Sequence, residues 1–422
     1  MAPGGLMEED SMTIRRTAAA LGTLALVLAA CTGGGQSAPA SQAAESQPAE
    51  SQPAESQSAE SPAESQAAET ECTVAVSWNN FQQPRWAAKD QPNIQETVEA
   101  GGGTYIDADA NLDTVQQLTD VETLIGQGAD VLILLAQDTA GVGPALETAA
   151  NAGVPVIAYD RLIEDPSVLY ITFDNVGVGR AEAEAMFEAV PSGNYVLIKG
   201  DPGDPNASTF LPAGWDEAGL QDKIDSGEIT IIADQFTDAW DTQTAQNNME
   251  AIIDSANADG TQIDAVLAEN DSTALGVVAA LQAKGYDPIP VSGQDGDTAN
   301  LQNVAKGLQY VDVWKDANEL GKVAGAAALQ LCEGADMAAL TIPDGLINDD
   351  VAPTAGLTAA EFTTPGPDGE PESGDENTVT SFILQPQPVT AENLDLILDS
   401  GWLTKDELCE GVDPASGPAA CQ

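Results

Sequence analysis

From residue 73 onward the chain alternates short apolar runs with longer amphipathic stretches. The runs are rich in Val, Ile, Leu and Ala and recur roughly every 25 to 30 residues, as the strands of βαβ units do. Continuous apolar runs of this kind predict strands of a parallel sheet that is covered on both faces. We expect strands over Val74–Ser77, Thr104–Asp107, Val131–Leu135, Val154–Tyr159, Ile171–Phe173, Tyr195–Ile198, Ile229–Ala233, Ala265–Ala268, Pro290–Ser292 and Gln309–Val313.

Between these runs the apolar positions follow a helical period, as in Leu112–Gln127 and Arg180–Val190. The first of these helices has apolar residues on one predicted face: Leu112, Val115, Leu118 and Leu124. So many strands exceed what one compact sheet of this type holds, so we predict two α/β lobes with a break near Asp174-Asn175. A short strand at Thr380–Leu384 and a short helix at Leu394–Leu398 follow near the end of the chain.

Residues 1–31 have the pattern of a secretion signal. Arg15-Arg16 precedes the apolar run Thr17–Ala30, which is shorter than the roughly 20 residues that a membrane span needs. The run ends in LAAC at Cys31, which resembles the bacterial lipobox and implies cleavage before Cys31 and lipidation of that residue. The alternative is an ordinary signal with an unrelated cysteine. Because an acidic stretch precedes the arginines, we expect translation to begin at Met7 or Met12.

Residues 32–71 are composed almost entirely of Ser, Gln, Pro, Ala and Glu, with ESQPAE as a near-repeat. Such a segment cannot bury a core, so we expect a disordered tether between the lipid anchor and the folded part.

The composition excludes several classes of function. A formal charge of −55, from 68 acidic and 13 basic residues, argues against binding to nucleic acid. The chain has no histidine, which excludes Ser-His and Cys-His nucleophile pairs and histidine metal sites. The acidic excess leads to the hypothesis of a saline habitat, where salt screens self-repulsion. Carboxylates are too abundant for a pair of them to indicate glycoside hydrolysis.

Four cysteines remain after Cys31: Cys72, Cys332, Cys409 and Cys421. An even number outside the cytoplasm predicts one or two structural disulfides, and the sequence leaves all three connectivities open. The Pro/Gly/acidic stretch Thr363–Asn377 lacks the spacing of a calcium loop, so we expect a solvated loop, no metal and no cofactor.

The run VPVIAYDR, Val154–Arg161, places Asp160 and Arg161 at the carboxyl end of a predicted strand. Ligands of open α/β sheets lie beyond these strand ends. A carboxylate beside a guanidinium offers both acceptors and donors to the hydroxyl groups of a sugar. The alternative is a structural ion pair in a loop.

This run is part of one of nine motifs that occur in order along the chain: Arg85-Trp86 with Lys89-Asp90, GADVLILLA at 128–136, GVPVIAYDRLI at 153–163, ITFDNVGVG at 171–179, VPSGNY at 190–195, DPNASTF at 204–210, DQFTDAW at 234–240, IDAVLAEND at 263–271 and VSGQDGD at 291–297. With them the chain resembles the sugar-binding proteins of bacterial ABC importers, and most closely their D-xylose-binding members. The resemblance covers about Thr73 to about Leu403.

The resemblance implies the periplasmic-binding-protein type I fold, in which two doubly wound parallel-sheet lobes are joined by a three-strand hinge and hold the ligand in the cleft. It assigns residues 72–174 and 316–346 to the N-terminal lobe, 175–315 and 347–408 to the C-terminal lobe, and 409–422 to a tail. The resemblance also implies which residues bind the sugar. We add Trp86 to them because its flat indole ring can pack against the C–H face of a sugar ring. The candidate residues are Arg85, Trp86, Asp160 and Arg161 in the first lobe, Asn206, Trp240, Asn270 and Asp295 in the second, and Lys315 at a crossover.

The function implied is capture of a monosaccharide, D-xylose first, for delivery to the permease subunits of an ABC importer. We therefore expect a binding protein and not an enzyme, a monomer that a lipid anchors to the outside of the cell membrane. The alternative is a broad receptor for glucose, galactose or arabinose that presents sugar to a membrane sensor kinase. Departures at Ala136-Gln137-Asp138 and at Pro202–Pro205 leave the identity of the sugar open. A sugar-responsive repressor, which shares the fold, requires a helix-turn-helix where this chain has a lipobox and a tether.

Overall fold

The computed structural model describes residues 72–347, 358–364 and 378–422. The predicted signal, lipobox and tether lie outside these residues, as does the predicted acidic loop apart from its first two positions. The strands are β1 (Thr73–Trp78), β2 (Thr104–Asp109), β3 (Val131–Leu134), β4 (Val156–Tyr159), β5 (Val168–Phe173), β6 (Gly193–Ile198), β7 (Ile229–Gln235), β8 (Ala265–Ala268), β9 (Val311–Trp314), β10 (Ala360–Thr363), β11 (Thr378–Leu384) and β12 (Gln387–Thr390).

Helices follow most of the strands, as the alternating pattern predicts. They are α1 (Gln91–Ala100), α2 (Thr114–Gly126), α3 (Gly143–Ala152), α4 (Asn175–Ala189), α5 (Leu211–Glu217), α6 (Leu220–Ser226), α7 (Thr242–Asp259), α8 (Asp271–Ala283), α9 (Thr298–Lys306), α10 (Ala317–Cys332), α11 (Asp395–Asp399) and α12 (Lys405–Leu408).

The first lobe is built on a seven-stranded sheet of order β10-β11-β5-β4-β3-β1-β2. All neighbours pair in parallel except β10, which is antiparallel to β11. The sheet is covered on both faces because successive residues of a strand point to opposite sides. In β3, Val131 and Ile133 join the core that contains α1 and α10, and Leu132 and Leu134 join the core that contains α2 and α3.

The second lobe has the parallel sheet β7-β6-β8 and the antiparallel pair β9 and β12. Single parallel bridges from Val266 to Val291 and from Gln294 to Val313 connect these two parts. Two cores cover the faces of the lobe, and a third holds α9, α11, α12 and the end of the chain. The predicted fold class is confirmed: two α/β lobes with mainly parallel sheets.

The chain passes between the lobes three times. The crossings follow β5 at Asp174, β9 at Lys315-Asp316, and β11 on the way to β12. Lys89 of the first lobe also reaches Trp402 of the second, where its Nζ donates to the main-chain carbonyl at 2.9 Å and lies 4.3 Å from the ring centroid. The hinge therefore consists of three chain segments, which follow β5, β9 and β11.

Three expectations about the elements are wrong. Strands β10 and β11 extend the first sheet beside β5, whereas residues 347–408 were assigned as a whole to the second lobe. Pro290–Ser292 makes only the isolated bridge at Val291. On α2 the predicted face is wrong at Val115, which is 71% exposed, and at Leu112, which lies before the helix. Leu118 and Leu124 do pack on the core, as predicted.

No helix among the described residues is long and apolar enough to cross a membrane. Two disulfides select one of the three connectivities that the sequence left open. Cys72 pairs with Cys332 across 260 residues, and Cys409 pairs with Cys421 across 12. The first joins the start of β1 to the end of α10, and the second closes the C-terminal segment on itself.

Removal of the long-range disulfide by the double substitution Cys72→Ser and Cys332→Ser is expected to destabilise the protein more than Cys409→Ser with Cys421→Ser. Loop-closure entropy predicts about 5.5 kcal/mol for the first pair and about 3 kcal/mol for the second. Urea denaturation of the two double variants beside the parent protein measures the difference. An equal or larger loss in the Cys409 and Cys421 variant would contradict this order.

Candidate functional site

A small cavity of about 20 Å³ lies between the two lobes. All nine predicted residues line it: Arg85, Trp86, Asp160, Arg161, Asn206, Trp240, Asn270, Asp295 and Lys315. Three residues that the sequence analysis did not select line it as well: Gln83, Asp204 and Gln294. This volume is far below the roughly 300 to 1,000 Å³ of ordinary ligand pockets, and side chains of the lining contact one another across the cleft.

The residues meet because strand ends of both sheets face the cleft. Asp160-Arg161 follow β4 directly, and Asn270 follows β8 after one residue. Lys315 follows β9 at the second crossing between the lobes. In parallel sheets the carboxyl ends of the strands share one edge, so polar residues that end different strands come together.

Each lobe also presents a five-residue π-helical turn to the cleft. Trp86–Asp90 leads into α1, and Asn206–Phe210 leads into α5. Turns of this kind are rare and occur frequently at functional sites, because they change which face of a helix a side chain occupies.

Arg85 contacts more carboxylates than either of the other two cations of the cavity. Its Nη2 lies 2.9 Å from Oδ1 of Asp90, its Nη1 lies 2.9 Å from Oδ1 of Asp295, and the same Nη1 lies 3.3 Å from Oδ2 of Asp160. Burial alone would lower the pKa of Arg85, but the three carboxylates outweigh it and raise the pKa well above its ordinary value. Asp90 also accepts from the hydroxyl of Tyr159 at 2.7 Å. The guanidinium is therefore charged and fixed in position.

Lys315 lies between the two lobes and contacts the same carboxylates. Its Nζ is 3.2 Å from Oδ1 of Asp295 and 3.6 Å from Oδ2 of Asp160. Burial alone would raise the pKa of Asp160, but Lys315, Arg85 and Arg161 outweigh burial and lower it. Asp160 is therefore ionised at neutral pH and acts as an acceptor.

The second cross-lobe pair joins Arg161 to Asp204. The Nε of Arg161 lies 3.0 Å from Oδ2 of Asp204, and its Nη1 donates to the carbonyl of Ala136 at 3.2 Å. The same carboxylate oxygen accepts from Nε1 of Trp240 at 3.2 Å. Burial raises the pKa of Asp204, with Arg161 opposing the shift. The contact fixes the indole of Trp240 relative to the first lobe.

Two indole rings border the cavity. Trp240 packs against the main chain of Gly200, where an added Cβ would lie 2.2 Å from the ring, so glycine is required there. The Arg85 guanidinium carbon lies 4.2 Å from the centroid of Trp86, whose Nε1 donates to Oε1 of Gln83 at 2.7 Å. Flat aromatic faces suit the C–H side of a sugar ring.

Two carboxamides complete the polar lining. The amide of Asn175 donates to Oδ1 of Asn206 at 2.9 Å. Oδ1 of Asn270 accepts from the N–H of Thr273 at 2.9 Å and caps α8, which leaves its amide nitrogen for donation. The N-cap is Asn270, and α8 begins at Asp271.

Three cavity residues have an unusual main-chain conformation. Asp160, Trp240 and Asp295 have φ values of 63°, 57° and 110°, a region that residues other than glycine seldom occupy. Such strain persists only where the surroundings enforce it, and it concentrates at functional sites. Half of the six non-glycine residues with positive φ in the described ranges therefore line one cavity.

The three cavity residues that were not predicted differ in how clearly the sequence marks them. Asp204 and Gln294 lie within quoted motifs. Gln294 comes soon after the bridge at Val291, whereas Asp204 lies in the loop beyond β6 and not directly at the strand end. Gln83 lies in an irregular turn before Arg85 and has no periodic or motif signal.

The lining is suited to binding hydroxyl groups. It presents ionised acceptors, cationic donors, amides and two indole faces. Among the described residues no group of three or more Asp, Glu, Cys or His could hold a metal ion.

Comparison with known proteins agrees with this geometry. The family described as "Periplasmic binding protein domain" matches residues 74–336. The D-xylose-binding periplasmic protein of Escherichia coli is 34% identical over 279 residues, which are 65% of this chain and 83% of that protein. A multiple sugar-binding periplasmic receptor of Rhizobium radiobacter is 30% identical over 282 residues, 62% of this chain and 78% of the receptor.

A solved structure extends the likeness to the whole folded part. The ABC transporter solute-binding protein of Clostridium phytofermentans with bound β-D-glucose is 32% identical, with a TM-score of 0.66, over 80% of this chain and 99% of that one. The family match, the two-lobe fold and these relatives together establish the assignment. The chain belongs to the periplasmic binding protein family and is a sugar-binding member with the type I fold.

Proposed function

We propose that this protein captures a neutral monosaccharide, D-xylose first, between its lobes and delivers it to the membrane subunits of an ABC importer. The observation that carries the proposal is the pairing of charges in the cavity. Arg85, Arg161 and Lys315 each contact a carboxylate, so no cation is left over for an anionic ligand. A neutral ligand with many hydroxyl groups can enter such a network and use both its donors and its acceptors.

The preference for D-xylose rests on similarity. The Escherichia coli protein that is 34% identical carries the name of that sugar. The Clostridium phytofermentans structure holds β-D-glucose, and the Rhizobium radiobacter receptor is described as binding multiple sugars. These relatives support the alternative, a broad aldose receptor that presents sugar to a sensor kinase.

Closure of the lobes links binding to delivery. The ion pairs from Arg85 to Asp295 and from Arg161 to Asp204 each join a cation of the first lobe to a carboxylate of the second. A sugar that bonds to both members of such a pair stabilises the closed state over the open one, which is the differential affinity that closure requires. The closed form is the state that we propose the permease recognises.

A thermal-shift titration with D-xylose, L-arabinose, D-ribose, D-glucose and D-galactose tests the ligand. We expect D-xylose to raise the melting temperature, since a ligand at 100 times its Kd stabilises by about 2.7 kcal/mol. Shifts with several sugars would favour the broad receptor. No shift at millimolar sugar would mean that the ligand assignment is wrong.

Replacement of the strand-end arginine, Arg161→Gln, is expected to weaken sugar binding by roughly 10- to 100-fold, because a charged hydrogen bond and the partner of buried Asp204 are both lost. The melting temperature without sugar should change little, since the open state lets water solvate Asp204. Calorimetric titration gives the affinities. Arg180→Gln, which removes the exposed pair with Glu217, is the matched control and should bind as the parent does. Equal affinities in the two variants would remove Arg161 from the site.

We further propose that the protein acts outside the cytoplasm as a monomer anchored through lipidated Cys31, with residues 32–71 as the tether. The lipobox resemblance and the family support this placement. Cys31→Ala expressed in a bacterial host should move the protein from the membrane fraction to the soluble fraction, as seen by immunoblot. Continued attachment to membranes would contradict lipidation at this residue.

A further inference from the structure

A further contact between the lobes lies outside the sugar cavity. Lys89 of the first lobe lies in the π-helical turn Trp86–Asp90, and Trp402 of the second lobe lies between α11 and α12. Neither is among the described residues that line the sugar cavity. Both line a neighbouring cavity of about 420 Å³ between the lobes, which shares Arg85 with the sugar cavity. The contact is therefore close to the ligand site but separate from it.

Two interactions make up this contact. Nζ of Lys89 donates to the main-chain carbonyl of Trp402 at 2.9 Å, and it lies 4.3 Å from the centroid of the Trp402 ring. A cation over an indole face is attracted by the quadrupole of the ring, and this attraction is stronger where water is excluded. Trp402 is 3% exposed, and Lys89 is partly buried. Because each lobe supplies one partner, both interactions are lost when the lobes separate.

The first lobe holds Lys89 in place through its main chain. Nδ2 of Asn93 donates to the carbonyl of Lys89 at 2.8 Å and to Oδ1 of Asn318 at 2.9 Å. Asn318 lies in α10, which packs with α1 in the core of the first lobe. In the same turn, Asp90 pairs with Arg85 of the sugar cavity at 2.9 Å. The turn that carries Lys89 therefore also positions a sugar-binding cation.

The second lobe holds Trp402 against the neighbours of two cavity residues. Its Nε1–H donates at 2.7 Å to the carbonyl of Gly296, which directly follows Asp295. Its ring centroid lies 5.5 Å from that of Trp314, which directly precedes Lys315. An added Cβ at Gly296 would lie 2.3 Å from the ring of Trp314, so glycine is required at this contact. Trp402 is therefore fixed to the elements that carry Asp295 and Lys315.

The C-terminal segment, residues 395–422, belongs to the second lobe. Its apolar side chains pack with those of α9 in one core, and the disulfide between Cys409 and Cys421 closes the segment on itself. Trp402 lies in this core together with the ring of Trp314. The segment therefore moves with the second lobe, and its contact with Lys89 forms only when the lobes come together.

We propose that Lys89 and Trp402 form a latch that stabilises the closed state and so raises the affinity for sugar without contacting the sugar. They are positioning residues, because they act on the sugar cavity through closure of the lobes. A contact that exists only in the closed state shifts the equilibrium between open and closed lobes, and the apparent affinity rises with the closed fraction. The effect on affinity rests on the proposed sugar-binding function, whereas the latch itself needs no sugar to form.

The first test needs no sugar and detects closure at a residue of the sugar cavity. Nε1–H of Trp240 donates to Asp204, whose carboxylate lies 3.0 Å from Nε of Arg161 in the first lobe. The proton–nitrogen NMR signal of this indole therefore differs between open and closed lobes, and Trp240→Phe assigns it. In the full chain, Lys89→Met removes the ammonium group, so fewer molecules are closed and the Trp240 signal should shift. An unchanged signal would overturn the proposal.

Two further variants separate the latch from the general loss of a lysine. Lys223→Met is the matched control: within the second lobe, its Nζ donates to the main-chain carbonyl of Pro191 at 3.2 Å and lies 5.3 Å from the ring centroid of Phe187. This control should leave the Trp240 signal unchanged. Lys89→Arg retains a cation that can donate to the same carbonyl and stack on the same ring, so it should keep the parent signal. A shift in either variant as large as that in Lys89→Met would overturn the proposal.

Calorimetry with D-xylose then measures sugar affinity, and D-glucose replaces it if D-xylose does not bind. We expect the affinity to fall roughly 5- to 30-fold in Lys89→Met, because a cation–π contact and a charged hydrogen bond are lost from the closed state. In Lys223→Met the affinity should change less than about 2-fold. Equal affinities in the two variants would overturn the proposal. If the parent protein binds no aldose while Lys89→Met still shifts the Trp240 signal, the proposed function is refuted and the latch stands.

Discussion

The structure depends on the balance of buried charge across the cleft. A buried ion that loses its partner is strongly destabilising, so each charged side chain of the cavity requires its complement when the lobes close. Arg85 of the first lobe forms an ion pair with Asp295 of the second lobe, and Arg161 of the first lobe forms one with Asp204 of the second. In an open state water would solvate these groups. The closed arrangement is therefore specified by ion pairs that need one residue from each lobe. A ligand that bonds to both residues of such a pair favours the closed state.

Much of the site was accessible from the sequence because one physical rule governs it. Apolar runs marked the parallel strands, and polar residues at the carboxyl ends of such strands converge at one edge. Asp160 and Arg161 were selected in this way, and the order of the motifs supplied the others. The structure brings all nine together. Asp204 shows the limit of that approach, because it lies in the loop beyond β6 and not directly at the strand end.

Features that depend on contacts between distant parts of the chain could not be predicted from the sequence. The parallel pairing of β11 with β5 joins residues about two hundred positions apart, and no local pattern indicates which sheet such a late strand joins. The disulfide pairing has the same character, since spacing alone left three connectivities. Asp271 shows how a local signal can mislead. An acidic residue before a helix is a good N-cap, but Asn270 takes that role here and frees Asp271 to accept from the main-chain N–H of Asp297.

The contrast between surface and interior explains how so acidic a chain can maintain a cleft that depends on cations. The formal charge is −55, and only 13 residues are basic, yet three of these line one cavity. Salt screens exposed charges over about 10 Å at 0.1 M but screens buried pairs much less. Ionic strength should thus alter the long-range field of the protein while leaving the pairs of Arg85 and Arg161 nearly intact.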